Sequence, residues 1–272
     1  MGKLQKAWEV VGTLIKNPQA ISQVLKDEEL GRKQVQEVHG LAQGLPTVDL
    51  LDLFPNFDVT VDPYSFLEGT STILDIALLN ALARSFDDCH YLEIGTWRGE
   101  SVANVARFAT KCVSVSLSEA ELRQFGFDEA FVRVHQLFSA GLENVQHIGH
   151  NSRTFDFAGL PERFDLTFVD GDHSYEAIKA DTRSAFTMRR DERSVIVWHD
   201  YGSTTERVRW NTLAGILDGC PGDLRGHLYH VSNTLCAVYL PPAFAVVSET
   251  SYTSFPAWPN KQFQVTISAQ TR

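Results

Sequence analysis

The part of the sequence best suited to chemistry is a glycine-containing loop that also holds a carboxylate. Glu93 stands two residues before Gly95, and Gly99 follows four residues after Gly95. Glycines at this spacing allow a tight turn between a strand and a helix, and the acid would stand at the strand end. A carboxylate there suits an ammonium group, or a ribose reached through water. The pattern also fits an ordinary strand-to-helix turn that binds nothing.

Two further loops combine carboxylates with imidazoles. Asp170 and His173 follow the apolar run LTFV, and His199 and Asp200 follow the run VIVW. If these runs are adjacent parallel strands, their loops face one cleft. A histidine beside acids can take the proton of a reacting hydroxyl, so His173 or His199 is a candidate general base. The alternative interpretation is that both are hydrogen-bonded loop residues.

Short apolar runs alternate with helical patterns through the middle of the chain, and this alternation predicts the elements that would position those loops. Strands are predicted over 90–94, 112–117, 146–149, 164–169 and 194–198, and helices over 72–86, 101–110, 175–189 and from about residue 119. The runs LTFV and VIVW are nearly continuous in apolar residues, as in strands that are covered on both faces.

Two closely spaced strands near 228–231 and 234–239 predict an antiparallel hairpin. The whole pattern predicts an α/β fold with a doubly wound, mostly parallel, Rossmann-like sheet and an antiparallel C-terminal edge. Ligands of such sheets bind beyond the carboxyl ends of the strands.

The ends of the chain predict additions to this core. Apolar residues recur at helical spacing over 4–27, and residues 28–45 are polar and lead to a connection at Pro46. We interpret residues 1–67 as an N-terminal helical cap, residues 68–242 as the core domain and residues 243–272 as a C-terminal extension that packs on it.

Charge and composition exclude several partners. The net charge of the 272 residues is −10, which opposes binding to nucleic acid or to an anionic membrane. The four cysteines are far apart and predict reduced, buried thiols. No signal peptide and no run of about 20 apolar residues is recognised, so we expect a cytoplasmic protein.

Three segments resemble one family. EIGTWRGES (93–101) is similar to the first motif of class I S-adenosylmethionine-dependent methyltransferases, especially small-molecule O-methyltransferases of the catechol, caffeoyl-CoA and macrolide-sugar type. Two further segments resemble the fourth and fifth strands of that group, together with the loops that follow them, and in the same order. They are FDLTFVDGDHSYE (164–176) and VIVWHDY (195–201). The resemblance spans about residues 68–202, and it implies S-adenosylmethionine as cofactor and a small-molecule hydroxyl as methyl acceptor.

The resemblance also implies which residues contact the cofactor. The residues it assigns to this role are Glu93, Gly95, Thr96, Gly99, Ser101, Ser116, Asn151, Ser152 and Asp170. The first glycine loop would hold the methionine end, with the turn at 68–71 closing over it. Asn151 would pair with the adenine amino group, although Asn151 and Ser152 fit plain turn or cap residues equally well.

The chain departs from the family at the end of the second strand. Ser116 stands where these enzymes usually have an acid that binds both ribose hydroxyls. A serine lacks the charge-assisted, bidentate hydrogen bonding of a carboxylate. Cofactor affinity should therefore suffer unless Glu119 or Glu121 reaches the ribose.

The resemblance further implies a divalent cation, magnesium or manganese, held by Asp170, His199 and Asp200. Such an ion would orient a substrate hydroxyl and lower its pKa. Magnesium prefers oxygen ligands, so the imidazole favours manganese, iron or zinc. Without a metal, His173 or His199 would act as the base, and the catalytic candidates are thus Asp170, His173 and His199.

Other functions stay open. Ser116 would also fit a chain that keeps the fold as a non-catalytic ligand-binding or assembly subunit. An iron-dependent hydroxylase-like relative is a further alternative. The lack of a G-x-G-x-x-G motif argues against a nicotinamide enzyme. A homodimer is common for such folds and is an expected assembly.

Overall fold

The strands form one large mixed sheet and a small hairpin. The computed structural model describes residues 28–67, 69, 71–204, 207–242, 244 and 262–269. The strands are β1 Thr47–Val48, β2 His90–Ile94, β3 Lys111–Ser116, β4 Val145–Gly149, β5 Leu166–Val169, β6 Val195–Trp198, β7 Gly202–Thr204, β8 Arg207–Val208, β9 Leu228–Val231 and β10 Ala237–Tyr239. Eight of them form a sheet in the order β1-β9-β10-β6-β5-β2-β3-β4, and β7 pairs with β8.

The central strands are parallel and the C-terminal hairpin is antiparallel. Five central strands pair in parallel, in the order β4-β3-β2-β5-β6. In contrast, β10 runs antiparallel to both β6 and β9. The predicted doubly wound, mostly parallel sheet with an antiparallel C-terminal hairpin is confirmed. β1 was not predicted; it adds a parallel strand beyond the hairpin, where Thr47 pairs with His230.

Eight α-helices are described, and several match the predicted positions. They are α1 Glu28–His39, α2 Leu50–Leu53, α3 Ile73–Ala83, α4 Glu100–Val105, α5 Glu119–Gln124, α6 Glu129–Val134, α7 Tyr175–Thr187 and α8 Trp210–Gly219. The helix predicted over 101–110 is shorter than expected, since it ends at Val105. The sequence patterns had assigned no helix to α1 or α8.

Helices cover both faces of the sheet. On one face, α7, α8 and α1 contribute Ile178, Leu213 and Val35 to a core that includes Trp198. On the other face, α3 and α4 contribute residues such as Leu78 and Val102 to a second core. Because both faces are buried, β5 and β6 are apolar except for Thr167, close to what their sequences predicted.

α3 is nearly all buried and begins at a paired cap. The Thr72 hydroxyl accepts from the Asp75 N–H, and the Asp75 carboxylate accepts from the Thr72 N–H. This reciprocal cap satisfies two free N–H groups of the first turn. It also fixes Asp75 at the carboxyl edge of the sheet, where its other oxygen accepts from the Leu235 N–H at 2.8 Å.

The described part of the segment 28–67 packs on the core. Glu28 accepts a 2.6 Å hydrogen bond from the N–H of Trp210 at the start of α8. Gln34 and His39 of α1 contact the Asp218 carboxylate at 2.6 and 2.9 Å. The division into a cap, a core domain and an extension stays a prediction. The helical pattern over 4–27 and most of the extension lie outside the described residues.

The state of the cysteines and the character of the helices were also predicted from sequence. All four cysteines are buried and unpaired, as predicted. Within the described ranges, no helix has the length and apolar character that a membrane crossing requires.

Candidate functional site

The first glycine loop lies where the strand order reverses. β2 pairs with β3 on one side and with β5 on the other, so the loops after β2 and β5 meet at this point. Gly95 has φ +93°, and a Cβ there would lie 2.2 Å from the Asp170 carbonyl oxygen. Gly99 has φ +80°, and its Cβ would lie 2.1 Å from the Ser139 hydroxyl. Only glycine fits both positions, because other residues would be strained and would clash.

Glu93 is a buried acid at the end of β2. Its Oε2 accepts a 2.6 Å hydrogen bond from the Tyr91 hydroxyl. Its Oε1 is buried and, among the described residues, has no donor in hydrogen-bonding geometry. Burial raises the pKa of Glu93 to about 8, against the smaller opposing effects of the Tyr91 and Ser101 hydroxyls. The site thus holds a buried acceptor atom that a ligand can satisfy.

His199 is surrounded by carboxylates. Its Nδ1 lies 3.2 Å from Asp170 and 3.3 Å from Asp200, and its Nε2 lies 3.4 Å from Asp75. Burial alone would lower its pKa, but the three acids together raise it well above the ordinary value, with Asp170 contributing most. The two ring nitrogens of His199 are not in hydrogen-bonding geometry with these acids, so His199 interacts with them as an ion pair. Among these acids the ring favours its protonated form, which does not act as a base.

His173 has different surroundings. Its Nδ1 lies 3.1 Å from Asp200, and its side chain is 41% exposed. Arg209 contacts the other oxygen of Asp200 at 3.0 Å. The attraction to His199, which is the largest favourable effect, holds the pKa of Asp200 below its ordinary value despite its burial. His173 is therefore oriented by a charged acid while its ring stays accessible.

Three side chains in this cluster offer metal-ligand atoms close together. Atoms of Asp170, His173 and Asp200 all lie within 4.8 Å of one another. The sequence prediction placed His199 in this set instead of His173, and the metal assignment stays a prediction. Two carboxylates and one imidazole suit manganese better than magnesium.

The remaining residues predicted to bind cofactor lie around the first loop, at the end of β3 and in the loop after β4. Thr96 and Ser101 are buried beside Glu93, and the Thr96 hydroxyl contacts that of Ser114. The Asn151 side chain accepts from the Arg153 N–H at 3.0 Å, as a turn residue does. Burial raises the pKa of the Asp181 carboxylate to about 7, against a smaller opposing effect of the nearby Ser152. The cofactor contacts of these residues stay predictions.

A segment before α3 is tied to α4 by buried side chains. The Asn104 amide accepts from the Asp62 N–H at 2.6 Å and donates to the Pro63 carbonyl at 2.8 Å. Glu100 accepts from the Ser65 N–H at 2.8 Å. This places residues 62–65 beside the first glycine loop. The predicted closing turn at 68–71 includes residues 68 and 70, which lie outside the described residues.

Four side chains near the site were not singled out from sequence. Asp75 and Arg209 contact the His199 and Asp200 cluster, His135 contacts Ser116, and Asp181 lies under Gly171. Thr72 three residues before Asp75 is a capping signal, which predicts a helix start but not the contact with His199. No local pattern pointed to the other three.

One comparison bears directly on this geometry. Residues 92–201 match the sequence profile of a family described as a methyltransferase domain. The match covers less than half of the chain. The matched residues run from β2 to just beyond β6, and thus include Glu93, the glycine loop and the cluster around His199.

More distant relatives were also found. An uncharacterized protein, R132, of Acanthamoeba polyphaga mimivirus is 28% identical over 149 residues, which cover 53% of this chain and 64% of the relative. The match thus spans less than two thirds of that relative. An O-methyltransferase from Bacillus cereus in complex with SAH is 16% identical with a TM-score of 0.42, covering 82% of this chain and 96% of that one.

A further solved structure has the same level of similarity. SAH-bound PaMTH1, a methyltransferase from Podospora anserina, is 17% identical with a TM-score of 0.44 and covers 63% of this chain and 80% of its own.

Proposed function

We propose that this protein transfers a methyl group from S-adenosylmethionine to a hydroxyl group of a small molecule. The observation that carries the proposal is Oε1 of Glu93, which is buried beside Gly95 and has no donor in hydrogen-bonding geometry among the described residues, inside a segment that matches a methyltransferase domain. A buried acceptor without a donor costs free energy, and a ligand with an ammonium group would satisfy it.

The residues present fit the methionine end of this cofactor. Gly95 and Gly99 bring backbone close to the loop after β5 and to Ser139, so no side chain fills the turn. Glu93 would accept from the ammonium group, directly or through water. Bound S-adenosylmethionine would supply a sulfonium-activated methyl group, which leaves one proton of the acceptor hydroxyl to be removed.

His173 is the residue best placed to take that proton. Asp200 lies 3.1 Å from its Nδ1, so Nε2 would be the atom that faces an acceptor. His199 would act differently: as a cation buried among Asp75, Asp170 and Asp200, it would hold these acids in place. Asp170 would line the acceptor side of the same cleft.

A divalent cation is the second way to activate the acceptor. Asp170, His173 and Asp200 would hold it, and His173 would then be a ligand in place of the base. The donor set favours manganese, and dependence of turnover on manganese would separate the two roles. A homodimer and a cytoplasmic location stay predictions. The net charge of −10 supports a small-molecule acceptor over nucleic acid.

The test is calorimetric titration with S-adenosylmethionine and S-adenosylhomocysteine, with and without manganese. We expect binding by the wild-type protein, loss of binding in Glu93→Gln and no change in Glu143→Gln, a control at an exposed glutamate. A screen of hydroxylated acceptors would follow. Absence of heat and of a thermal shift for the wild-type protein at millimolar ligand would contradict the proposal. Binding without turnover on any acceptor would favour the non-catalytic subunit.

A further inference from the structure

The segment 262–269 near the C-terminus has the sequence pattern of a β-strand. Its apolar residues are Phe263, Val265 and Ile267, and each is separated from the next by one polar residue. Alternate residues of a strand share a face, so these three would form one apolar face. All eight residues are exposed, and Ile267 is 70% exposed. Within the described ranges, the segment belongs to no helix and no sheet.

The composition of this segment favours pairing with another strand. The eight residues QFQVTISA include no charged residue, no proline and no glycine. Short segments that combine this composition with β-branched and aromatic residues pair readily with exposed sheet edges. Three apolar side chains in water are also unfavourable. The segment therefore fits an open edge of a sheet.

Such an edge is present at β4. This strand is the last of the large sheet and pairs only with β3. The Asn144 carbonyl and the His150 N–H, which flank β4, both hydrogen-bond to β3. Because parallel pairing uses every second residue, the N–H and C=O groups of His147 and Gly149 point away from β3. No loop of the described chain hydrogen-bonds to these outward groups.

The β4 edge lacks the features that usually protect an edge strand. Its sequence VQHIG has no charged residue and no proline. The opposite edge of the sheet, β1, has only two residues, and short edge strands resist pairing. Val145 and Ile148 are partly exposed and lie on opposite faces of β4, so an added strand would find an apolar neighbour on either face.

We propose that the segment 262–269 of one copy adds as a strand to the β4 edge of a second copy, and that the exchange is reciprocal. Within one copy, both the segment and the edge stay without a strand partner in the described residues. Two such contacts related by a twofold axis satisfy both and close the assembly as a homodimer. The inference uses no cofactor contact, so it is independent of the proposed function.

The length of the intervening chain permits this exchange. Residues 245–261 join the last described residue of the core to the segment, and 17 residues span at most about 60 Å. The large sheet has eight strands and is thus about 35 Å wide. The segment can therefore reach the sheet edge of an adjacent copy.

The test measures the mass of the full chain by sedimentation equilibrium. We expect a dimer for the wild-type protein. Val265→Lys places a charge at the centre of the apolar face, and it should raise the dimer dissociation constant by at least about 30-fold, as the loss of a central interface anchor does. Thr266→Lys is the matched control, because it adds the same charge on the polar face. It should change the constant by less than about 3-fold, since edge-strand side chains facing water tolerate lysine.

Hydrogen exchange locates the contact. Backbone amides of 145–149 should exchange more slowly in the wild-type dimer than in Val265→Lys, because the added strand would bind the outward N–H groups. A monomeric wild-type protein, or a dimer that Val265→Lys leaves intact, would overturn the proposal. A monomer in which Val265→Lys still speeds exchange at 145–149 would show pairing within one chain, which also contradicts exchange between copies. Assemblies that keep growing with concentration would contradict the reciprocal arrangement.

Discussion

The Gly95 backbone lies so close to the Asp170 carbonyl that a methyl group at position 95 would stand 2.2 Å from that oxygen. The contact joins the loop after β2, which carries Glu93, to the loop after β5, which carries His173. The proposed cofactor side and acceptor side of the site are therefore held together by backbone packing.

Gly95→Ala should disrupt this contact. We expect it to destabilise the protein by at least about 2 kcal/mol more than Gly126→Ala, and to abolish cofactor binding. Gly126 is the matched control, because it has φ +86° but a Cβ there would meet no atom of the described residues within 4 Å. Gly126→Ala should lower the free energy of unfolding by only about 1–2 kcal/mol, because alanine is strained in the left-handed backbone conformation. Urea unfolding of both variants measures the difference, and equal losses would contradict the role of the clash.

Glu93 should make stability fall as pH rises. Its pKa is about 8 in the folded protein and near 4.5 when exposed, so between these values the unfolded state binds fewer protons and the free energy of unfolding declines. Glu93→Gln should remove this slope and raise stability at pH 8.5 by roughly 3–5 kcal/mol relative to wild type. Chemical denaturation at pH 5 and 8.5 tests this, with Glu143→Gln as the control.

The same residue predicts proton release on cofactor binding. At pH 7 the carboxyl group of Glu93 is mostly protonated, and an ammonium group beside it would favour the ionised form. We expect release of nearly one proton per S-adenosylmethionine, measured by calorimetry in buffers with different ionisation enthalpies. A heat of binding that is the same in all buffers would show that Glu93 does not ionise on binding.

His199 should be a stabilising cation. His199→Gln removes the positive charge that lies 3.4 Å from the fully buried Asp75 carboxylate. We expect a loss of about 3–5 kcal/mol in the free energy of unfolding. The loss should be smaller by at least about 1 kcal/mol when Asp75→Asn is already present, since the two residues interact. Additive losses in this double-mutant cycle would argue against the ion-pair contact.

Manganese binding should depend on the three clustered ligands. Titration monitored by electron paramagnetic resonance should detect one bound manganese ion in the wild-type protein. Asp170→Asn and His173→Ala should weaken binding, because each removes one donor of the cluster. Asp172→Asn is the matched control, since Asp172 is exposed and its carboxylate accepts from the Ser174 N–H instead. An equal effect of the control would contradict the assignment.

The sheet could be predicted where apolar runs are continuous, but α8 could not. Gly215 and Gly219 lie within α8, where glycine usually lowers helix propensity. The structure explains them, since a Cβ at these positions would lie 3.0 Å from Ile178 and 2.5 Å from Thr182 of α7. The glycines permit close packing of two helices, and a single sequence does not show that contact.

The candidate site could also be predicted only in part. Glu93, Asp170 and His199 could be located because each lies at or directly after the end of a predicted strand, where parallel sheets bind ligands. Asp75 and His135 could not, because they belong to elements whose approach to the strand ends is set by tertiary packing. The structure thus adds the buried partners that determine the charge of His199 and the orientation of Ser116.

The position of β1 has a consequence for the order of folding. Thr47 pairs with His230, which lies 183 residues further along the chain. During synthesis β1 leaves the ribosome long before β9 exists, so this edge of the sheet closes only after nearly all the described core has been made. Such distant pairing slows folding, and until β9 arrives the two-residue strand has no partner to hold it.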